Sequence, residues 1–303
     1  MAERVPGLTS VIIVACDSGT LLGECVASVL ESSAPLEIIV SDNASRDGSI
    51  EALELRGVGD ALLRVLRNGA NLGFAAGCNR AALHARGDML LFLNPDCRIG
   101  ADTLARLRAH TDARTGVLGA VIVGVDGEQE PASRRRDPLL RRALMTALGL
   151  ARWSSRWPAL RGTNLVAAGA GDTIEEVECV SGALLLLPRS AYDCIGGFDE
   201  GYFLHFEDVD LCRRLRDAGL RVACARDVRV THVKGTSSRS RPFFVAFHKH
   251  RGMWRWFTKF DPAAHNPFLR GFAWCGIWMH YAAMAPLYGG RWLKARISLL
   301  RSP

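Results

Sequence analysis

Strongly apolar, β-branched segments that alternate with helix-like segments dominate the first hundred residues. The segments VIIVACDSG (residues 11–19), EIIVSDNAS (37–45) and DMLLFLNPD (88–96) each read as a buried strand that runs into a polar turn. Strands joined by helices form parallel sheets that are covered by helices on both faces. We therefore predict an α/β fold with a mostly parallel central sheet and flanking helices.

Each of these three strands ends close to an acid, and the acids are Asp17, Asp42 and Asp96. The carboxyl ends of parallel strands meet at one edge of a sheet, which is where α/β proteins bind ligands. A single acid there would be interpreted as a turn former, but three at three strand ends indicate a binding site. The oxygens of Asp96 suit Mg²⁺ or Mn²⁺, and these ions also bind diphosphates.

Arginine supplies almost all of the positive charge. The net charge is +7, and only four of the 38 basic residues are lysines. Guanidinium groups bind phosphate oxygens bidentately, so a nucleotide diphosphate, an anionic lipid and a nucleic acid all fit this composition.

The cysteines and the first residues indicate the compartment. None of the nine cysteines belongs to a CxxC pair, which predicts reduced, mostly buried thiols and no zinc or disulfide framework. The opening MAERVPGLTS has no apolar segment typical of a signal peptide. We therefore expect a cytoplasmic protein.

The second half contains an acid-rich helix start. From residue 177 to 219 the pattern predicts a strand, a helix, a Gly-Gly turn and a second helix that begins with Glu207, Asp208 and Asp210. Ordinary charge capping explains an isolated acidic triplet, because the helix dipole favours carboxylates at this end. One or two further strands are expected to end at His232.

The region from about residue 111 to 175 is harder to assign. GVLGAVIVGVDGE predicts a strand and a hairpin, but the basic segment that follows fits no firm assignment. Arg134–Arg136, Arg141 and Arg142 form either a solvated face or a site for an anionic headgroup or a pyrophosphate-linked lipid.

Basic and aromatic residues interleave after Ser240, and an apolar segment covers residues 271–289. It approaches the roughly 20 residues that span a bilayer, but His280 and Pro286 interrupt it. A helix at the membrane surface and a helix packed on the domain both fit. We divide the chain into a domain at 1–238 (donor half about 1–110, acceptor half about 111–238) and a basic, apolar helical region at 239–303.

Several motifs occur together and in a characteristic order over residues 9 to 237. Besides the strand ends, they include NGANLGFAAGCNRA, the block that contains GGFDE and FEDVDLCRR, and THVKGTS. The set resembles the family-2 glycosyltransferases, within them the bacterial rhamnosyltransferase-like branch. The resemblance implies the GT-A nucleotide-sugar fold and a cytoplasmic enzyme, peripheral at the inner face of the cell membrane.

The resemblance assigns the donor side. It implies that Asp42 accepts the pyrimidine N3–H of a UDP or dTDP sugar and that Asp17 supports the nucleoside. A glycine-containing loop would approach the nucleotide and sugar, and its matching residues are Asn71, Gly73, Gly77, Asn79 and Arg80.

A divalent metal, Mg²⁺ or Mn²⁺, is also implied. NPD stands where the family has an Asp-x-Asp motif, so that Asp96 matches the second acid and Asn94 replaces the first. Asn94 keeps a carbonyl oxygen but contributes no charge. His232 matches a further metal ligand of the family.

On the acceptor side, the resemblance implies a pocket shaped by Gly197, Phe198, Asp199 and Glu200. Glu207 and Asp208 would be the catalytic pair, and we favour Asp208 as the base of an inverting transfer. The expected partners are a nucleotide-diphosphate sugar, a lipid-linked saccharide acceptor and a membrane surface. Rhamnose from dTDP-rhamnose is the expected donor.

Other classes of protein fit less well. A catalytically impaired nucleotide-sugar-binding protein would explain Asn94, but it would not need the acids at 207 and 208. The acids along the sheet edge would repel nucleic acid, and no nucleic-acid motif occurs. A dinucleotide-dependent dehydrogenase is disfavoured because no GxGxxG follows the first strand.

Overall fold

The computed structural model describes residues 4–56, 59, 62–154, 156–163, 165, 173–233 and 241–290. Its strands are β1 (Val5–Ala15), β2 (Leu36–Asp42), β3 (Leu63–Arg67), β4 (Gly87–Leu93), β5 (Cys97–Arg98), β6 (Thr115–Val123), β7 (Arg134–Arg135), β8 (Ile174–Glu176), β9 (Cys179–Val180), β10 (Leu184–Pro188) and β11 (Arg221–His232). Its helices of more than one turn are α1 (Thr20–Leu30), α2 (Ser49–Glu54), α3 (Phe74–Ala82), α4 (Thr103–Ala109), α5 (Leu140–Ala147), α6 (Arg189–Cys194), α7 (Glu207–Asp217), α8 (Pro242–Phe260) and α9 (Pro267–Ala283).

The central sheet confirms the predicted α/β architecture. Its order is β3-β2-β1-β4-β10-β6-β11-β5, with β8 on β11. The first four strands pair in parallel, as do β6 and β11, whereas β10 runs antiparallel between β4 and β6. β7 and β9 form a separate two-stranded ribbon.

Side-chain alternation along the strands builds two apolar layers. On β1, Val11 and Ile13 contribute to the layer under α1, α2 and α4, while Ile12 and Val14 face α3, α6 and α7. Successive residues of a strand point to opposite faces, so this continuous apolar run serves both layers. The sheet is thereby covered on both faces, as its sequence predicts.

Helix α8 belongs to the packing of this domain. Trp256 is 1% exposed and lies in the layer that contains α3 and α7. Lys259 Nζ contacts both Asp199 and Asp210 at 2.7 Å, and Arg255 also binds Asp199. The boundary that we predicted at 238 lies outside the described residues, but α8 packs on the core of the first region.

Helix α9 does not pack into the core. Of its residues only Ala273 is buried. Large apolar side chains are exposed instead, including Phe268, Phe272 and Trp274. The helix packs on the domain through α8, where His280 Nδ1 lies 2.9 Å from His250 Nε2 and Trp278 contacts Phe247. The predicted packing on the domain and an exposed apolar face thus occur together. Within the described ranges, no helix is both long enough and apolar enough to cross a bilayer.

Replacing Trp256 tests whether α8 is part of the cooperative core. Trp256→Ala should lower the free energy of unfolding by about 3–5 kcal/mol, because the lost ring leaves a cavity. Trp274→Ala on the exposed face of α9 is the matched control and should change it by less than about 0.5 kcal/mol. Urea titration followed by circular dichroism measures both, and similar losses in the two variants would contradict the assignment.

Candidate active site

A cleft of about 500 Å³ opens at the carboxyl ends of β1, β2 and β4. It brings together six of the predicted site residues, which are Asp17, Asn71, Gly73, Asn94, Asp96 and His232. Asn43, Phe203, His205, Arg241 and Phe244 complete much of its lining. The predicted location of the site at this edge of the sheet agrees with this cleft.

The loops that follow β1 and β2 hold each other in place. Asp17 accepts a hydrogen bond from the backbone N–H of Arg46 at 2.8 Å, and Asp47 accepts one from the N–H of Gly19 at 2.7 Å. Asp17 has a positive φ of 51°, and its other oxygen lies 3.7 Å from Arg241. This reciprocal pairing shapes the wall of the cleft at Asp17.

Asp42 lies beneath the cleft, and its neighbour Asn43 lines it. Asp42 is 3% exposed and accepts the N–H of Ser45 at 2.9 Å. Asn43 donates to the carbonyl of Gly73 at 3.0 Å. The role of Asp42 towards a pyrimidine stays a prediction. Asn43 was not among the predicted site residues, although it directly follows the end of β2.

The two predicted glycines allow close packing. A Cβ on Gly73, whose φ is 85°, would lie 2.5 Å from the carbonyl oxygen of Phe203. A Cβ on Gly77 would lie 2.9 Å from Val14. Asn71 accepts the N–H of Gly73 at 3.0 Å and so stabilises the start of α3. These contacts join the donor half to the chain around Phe203.

Asn79 and Arg80 lie away from this cleft. They line a different cavity, of about 510 Å³, with Gly197 and Glu200. Asn79 binds the backbone N–H and carbonyl of Phe198, each at 2.9 Å, and the Glu200 carboxylate at 2.8 Å. The structure thus shows Asn79 holding the GGFDE loop and does not bring these four residues to Asp17 and Asp96.

Two other predicted acceptor residues have structural contacts. Phe198 is 3% exposed and packs edge-on against Phe92. Partial burial disfavours ionisation of Asp199, but hydrogen bonds from Lys259 and Arg255 outweigh it and lower the pKa of Asp199 to about 2. Asp199 therefore fixes α8 beside the cleft. A contact with an acceptor stays a prediction.

The NPD turn places Asp96 beside His232. The backbone N–H of Asn94 donates to the carbonyl of Ala183 at 3.0 Å, and the Asn94 carbonyl closes the turn by accepting the N–H of Cys97 at 3.1 Å. Strand β5 then pairs with β11, which sets Cys97 opposite His232. As a result, Asp96 Oδ1 and His232 Nε2 are 3.1 Å apart.

Glu130 supports His232 from the other side. Its Oε1 lies 3.1 Å from His232 Nδ1, and Glu130 is 6% exposed. Burial disfavours protonation of His232, but the Asp96 and Glu130 carboxylates outweigh it and raise the pKa of the imidazole. Glu130 was not among the predicted site residues. The hairpin predicted after β6 could have indicated it, and the bridge between Val123 and Gln129 confirms that hairpin.

This arrangement fits a divalent metal ion. Ligand atoms of Asp96, Cys97 and His232 lie within 4.8 Å of one another. Burial raises the pKa of the Cys97 thiol far above its usual value, so Cys97 stays protonated, and it donates to the Ala183 carbonyl. The remaining ligands are the Asp96 carboxylate and the His232 imidazole, which the Glu130 carboxylate orients. These groups suit Mn²⁺ or Mg²⁺ better than a thiol does.

Asp208 begins α7 next to the NPD turn. Its Oδ2 accepts hydrogen bonds from Arg135 Nη2 at 2.5 Å and from the N–H of Gly182 at 3.0 Å. A Cβ on Gly182 would lie 3.1 Å from the Cβ of Asp208, so glycine permits this approach. Since Ala183 accepts the Asn94 N–H, one short segment links Asp208 to the NPD turn.

Glu207 differs sharply from its neighbour. It is 6% exposed, and its Oε2 is buried with no hydrogen-bond partner among the described residues. Burial and the adjacent Asp208 charge raise the pKa of Glu207 to about 8. A neutral acid therefore lies beside an ion-paired carboxylate, the kind of separation that gives two acids different roles.

Most of the arginine cluster is paired with acids. Arg134 binds Glu175, and Arg142 binds Glu178 at 2.5 Å. Arg141 donates to the Ala159 carbonyl at 3.2 Å. The interpretation as a plain solvated face is therefore wrong for Arg134, which is 4% exposed, and for Arg135, which holds Asp208.

Comparison with known proteins decides the family. The family model described as "Glycosyl transferase family 2" matches residues 10–167, more than half of the chain. The chain belongs to this family. It is a glycosyltransferase of the rhamnosyltransferase-like branch, as the motifs imply.

Two curated relatives are similar to this glycosyltransferase. The N-acetylglucosaminyl-diphospho-decaprenol L-rhamnosyltransferase of Mycobacterium tuberculosis is 31% identical over 271 residues, 81% of this chain and 86% of that protein. Rhamnosyltransferase WbbL of Escherichia coli is 27% identical over 169 residues, 55% of this chain and 60% of that protein.

Solved structures confirm the GT-A fold. GalNAc-T7, solved with UDP, GalNAc and Mn²⁺, has a TM-score of 0.61 at 18% identity over 82% of this chain and 47% of its own. The mannosyltransferase PcManGT from Pyrobaculum calidifontis, solved with GDP-Man and Mn²⁺, has a TM-score of 0.58 at 18% identity, over 97% of this chain and 81% of its own.

The raised pKa of Glu207 predicts a pH-dependent stability difference. The folded protein keeps Glu207 protonated up to about pH 8, whereas the unfolded chain ionises it near its ordinary value of 4.5, so this group lowers stability as the pH rises between the two. Glu207→Gln removes that loss and should gain stability relative to the wild type, by at most about 1.4 kcal/mol per pH unit.

Urea unfolding across this pH window measures the difference. The exposed Glu128→Gln variant is the matched control for the loss of one carboxylate. If the difference in free energy of unfolding between Glu207→Gln and the wild type stays constant with pH, Glu207 is ionised in the folded protein.

Proposed function

We propose that this glycosyltransferase is inverting and metal-dependent, and that it moves a sugar from a nucleotide diphosphate to a lipid-linked saccharide. The observation that carries the proposal is the short link between its two chemical centres. Gly182 binds the carboxylate of Asp208, while Ala183 binds the turn that presents Asp96. The proposed base and the proposed metal ligand thus bind neighbouring residues of one backbone segment, which supports their acting together.

Relatives support the choice of substrates. The Mycobacterium tuberculosis relative carries a name that specifies L-rhamnose and an N-acetylglucosaminyl-diphospho-decaprenol. We propose dTDP-rhamnose as the donor and a lipid-linked saccharide of that kind as the acceptor. Asp17, Asn43 and Asn71 line the cleft where the nucleotide would lie.

The chemistry is an in-line displacement. The carboxylate of Asp208 takes the proton of the acceptor hydroxyl, and the hydroxyl oxygen bonds to the anomeric carbon. The bond from that carbon to the diphosphate oxygen breaks, and the nucleoside diphosphate leaves with the electron pair. A divalent ion held by Asp96 and His232 would stabilise the negative charge on the diphosphate.

The exposed apolar face of α8 and α9 supports binding to a membrane surface. Phe268 is 86% exposed, Phe272 56% and Trp274 50%. Phe244, exposed on α8, also lines the cleft. An apolar face next to the cleft would hold the enzyme at the inner leaflet, where a lipid-linked acceptor is anchored.

A transfer assay with the wild type and the Asp208→Asn variant tests the proposed reaction. We expect purified protein with Mn²⁺ to transfer rhamnose from dTDP-rhamnose to a synthetic GlcNAc-diphospho-lipid, and EDTA to abolish this transfer. Asp208→Asn should lower kcat by at least about 100-fold, because proton transfer to a base contributes this much. Product analysis by mass spectrometry gives the rates.

Asp217→Asn, at the exposed end of the same helix, is the matched control and should keep full activity. Transfer that is unaffected by EDTA would contradict the metal. Binding of a nucleotide sugar without transfer to any acceptor would favour the alternative, a catalytically impaired nucleotide-sugar-binding protein.

Vesicle flotation tests the membrane surface. The wild type should float with vesicles that contain phosphatidylglycerol, and substitution of Phe268, Phe272 and Trp274 by serine should remove most of this binding, because apolar burial drives it. A control with Leu55→Ser and Leu83→Ser, exposed elsewhere on the protein, should float like the wild type. Equal flotation of all three proteins would contradict this membrane face.

A further inference from the structure

Strand β7 places two consecutive arginines on opposite faces of the β7–β9 ribbon. Arg134 pairs with Val180 and Arg135 with Cys179 in the register of this ribbon. Successive side chains of a strand point in opposite directions. Arg134 therefore reaches Glu175, whereas Arg135 reaches Asp208.

The contact of Arg135 fixes the carboxylate of Asp208. The 2.5 Å bond from Arg135 Nη2 and the 3.0 Å bond from the Gly182 N–H meet at the same oxygen, Oδ2. The other oxygen, Oδ1, accepts the N–H of Val209 at 2.9 Å. A charge-assisted hydrogen bond is shorter and stronger than a neutral one, so the guanidinium dominates this set.

Arg135 also lies close to the second acid of this pair. Glu207 is buried beside Asp208, and its Oε2 has no hydrogen-bond partner among the described residues. Burial and the Asp208 charge raise the pKa of Glu207 to about 8, although the Arg135 charge acts in the opposite direction. The guanidinium therefore affects both acids, but its hydrogen bond goes to Asp208.

We propose that Arg135 is a positioning residue of the transfer reaction, which holds the Asp208 carboxylate fixed against Gly182. This rests on the proposed role of Asp208 as the base. Arg135 acts through Asp208 and not by contact with the substrate. The Arg135 side chain is 26% exposed and that of Asp208 is 11% exposed, so the pair is mostly buried, and neither residue is among those that line the cleft.

Other titratable groups face this pair and enter the pH profile. They come from the loop before α7, from α7, from β9 and from α8, and they are His205, Glu207, Cys212, Cys179 and Lys249. Substitution of Arg135 leaves all of them in place. A change in the profile of an Arg135 variant therefore reports the loss of the guanidinium.

Kinetics of Arg135 variants over the range from about pH 5 to about pH 9 test the proposal. Arg135→Ala should lower kcat by about 100-fold, since a misplaced catalytic group costs about this much, with little change in the KM for the donor. Its acid limb of kcat/KM should move to higher pH, because the variant lacks the positive charge that faces the two carboxyl groups of this site. Arg135→Lys keeps the charge and should restore part of kcat.

Arg221→Ala is the matched control, because the Arg221 side chain is similarly buried and pairs with Asp112 and not with Asp208. It should keep the kcat and the pH profile of the wild type. Arg135→Gln, which keeps a hydrogen-bond donor without charge, replaces Arg135→Ala if that variant does not fold. Affinity for dTDP, measured by calorimetry, shows whether each variant retains the donor cleft.

The outcomes separate this proposal from the proposed function. Wild-type protein that transfers no sugar contradicts the function. If the wild type is active but Arg135→Ala and Arg135→Gln keep its kcat or its acid limb, the role of Arg135 is wrong. The proposed function is then unaffected. In an Asp208→Asn background, Arg135→Ala should cause no further loss, because residues that act as a unit are not additive.

Discussion

The hydrogen bonds of Gly182 and Ala183 connect Asp208 to the NPD turn. One amide donates to Asp208, and the next carbonyl accepts the backbone N–H of Asn94. Because these groups belong to one rigid backbone segment, the carboxylate of α7 and the NPD turn cannot move independently. Strand β10, which pairs with β4 immediately after this segment, holds it in place.

A second layer of support comes from the chain between β6 and α5. Glu130 orients His232, Ser133 binds both backbone groups of Ile122, and Arg135 holds Asp208. Within six residues this segment contacts the proposed metal ligand and the proposed base. Groups of this kind set the orientation and charge of those that touch the substrate, so their effect on catalysis is indirect but large.

Helix α8 closes the site from the C-terminal side. Its cations bind Asp199 and Asp210, and Gly252 allows the backbone of His205 to approach to a distance that a side chain would prevent. Phe244 of the same helix lines the cleft. Helix α8 therefore forms part of the cleft wall. The large exposed apolar side chains of the proposed membrane face lie on the next helix, α9.

The fold class, the family and the edge of the sheet where the cleft opens follow from the sequence. Apolar runs that alternate with helices dictate a parallel sheet, and strand ends share a rim, so the positions of Asp17 and Asp96 were predictable. The tertiary structure alone decided that Asn79 holds the GGFDE loop and that Asp42 lies beneath the cleft. It also decided the contacts of Glu130 with His232 and of Arg135 with Asp208, which join residues 102 and 73 positions apart. No local pattern encodes such pairs, because they depend on how β7 and β11 are placed by strands far away in the chain.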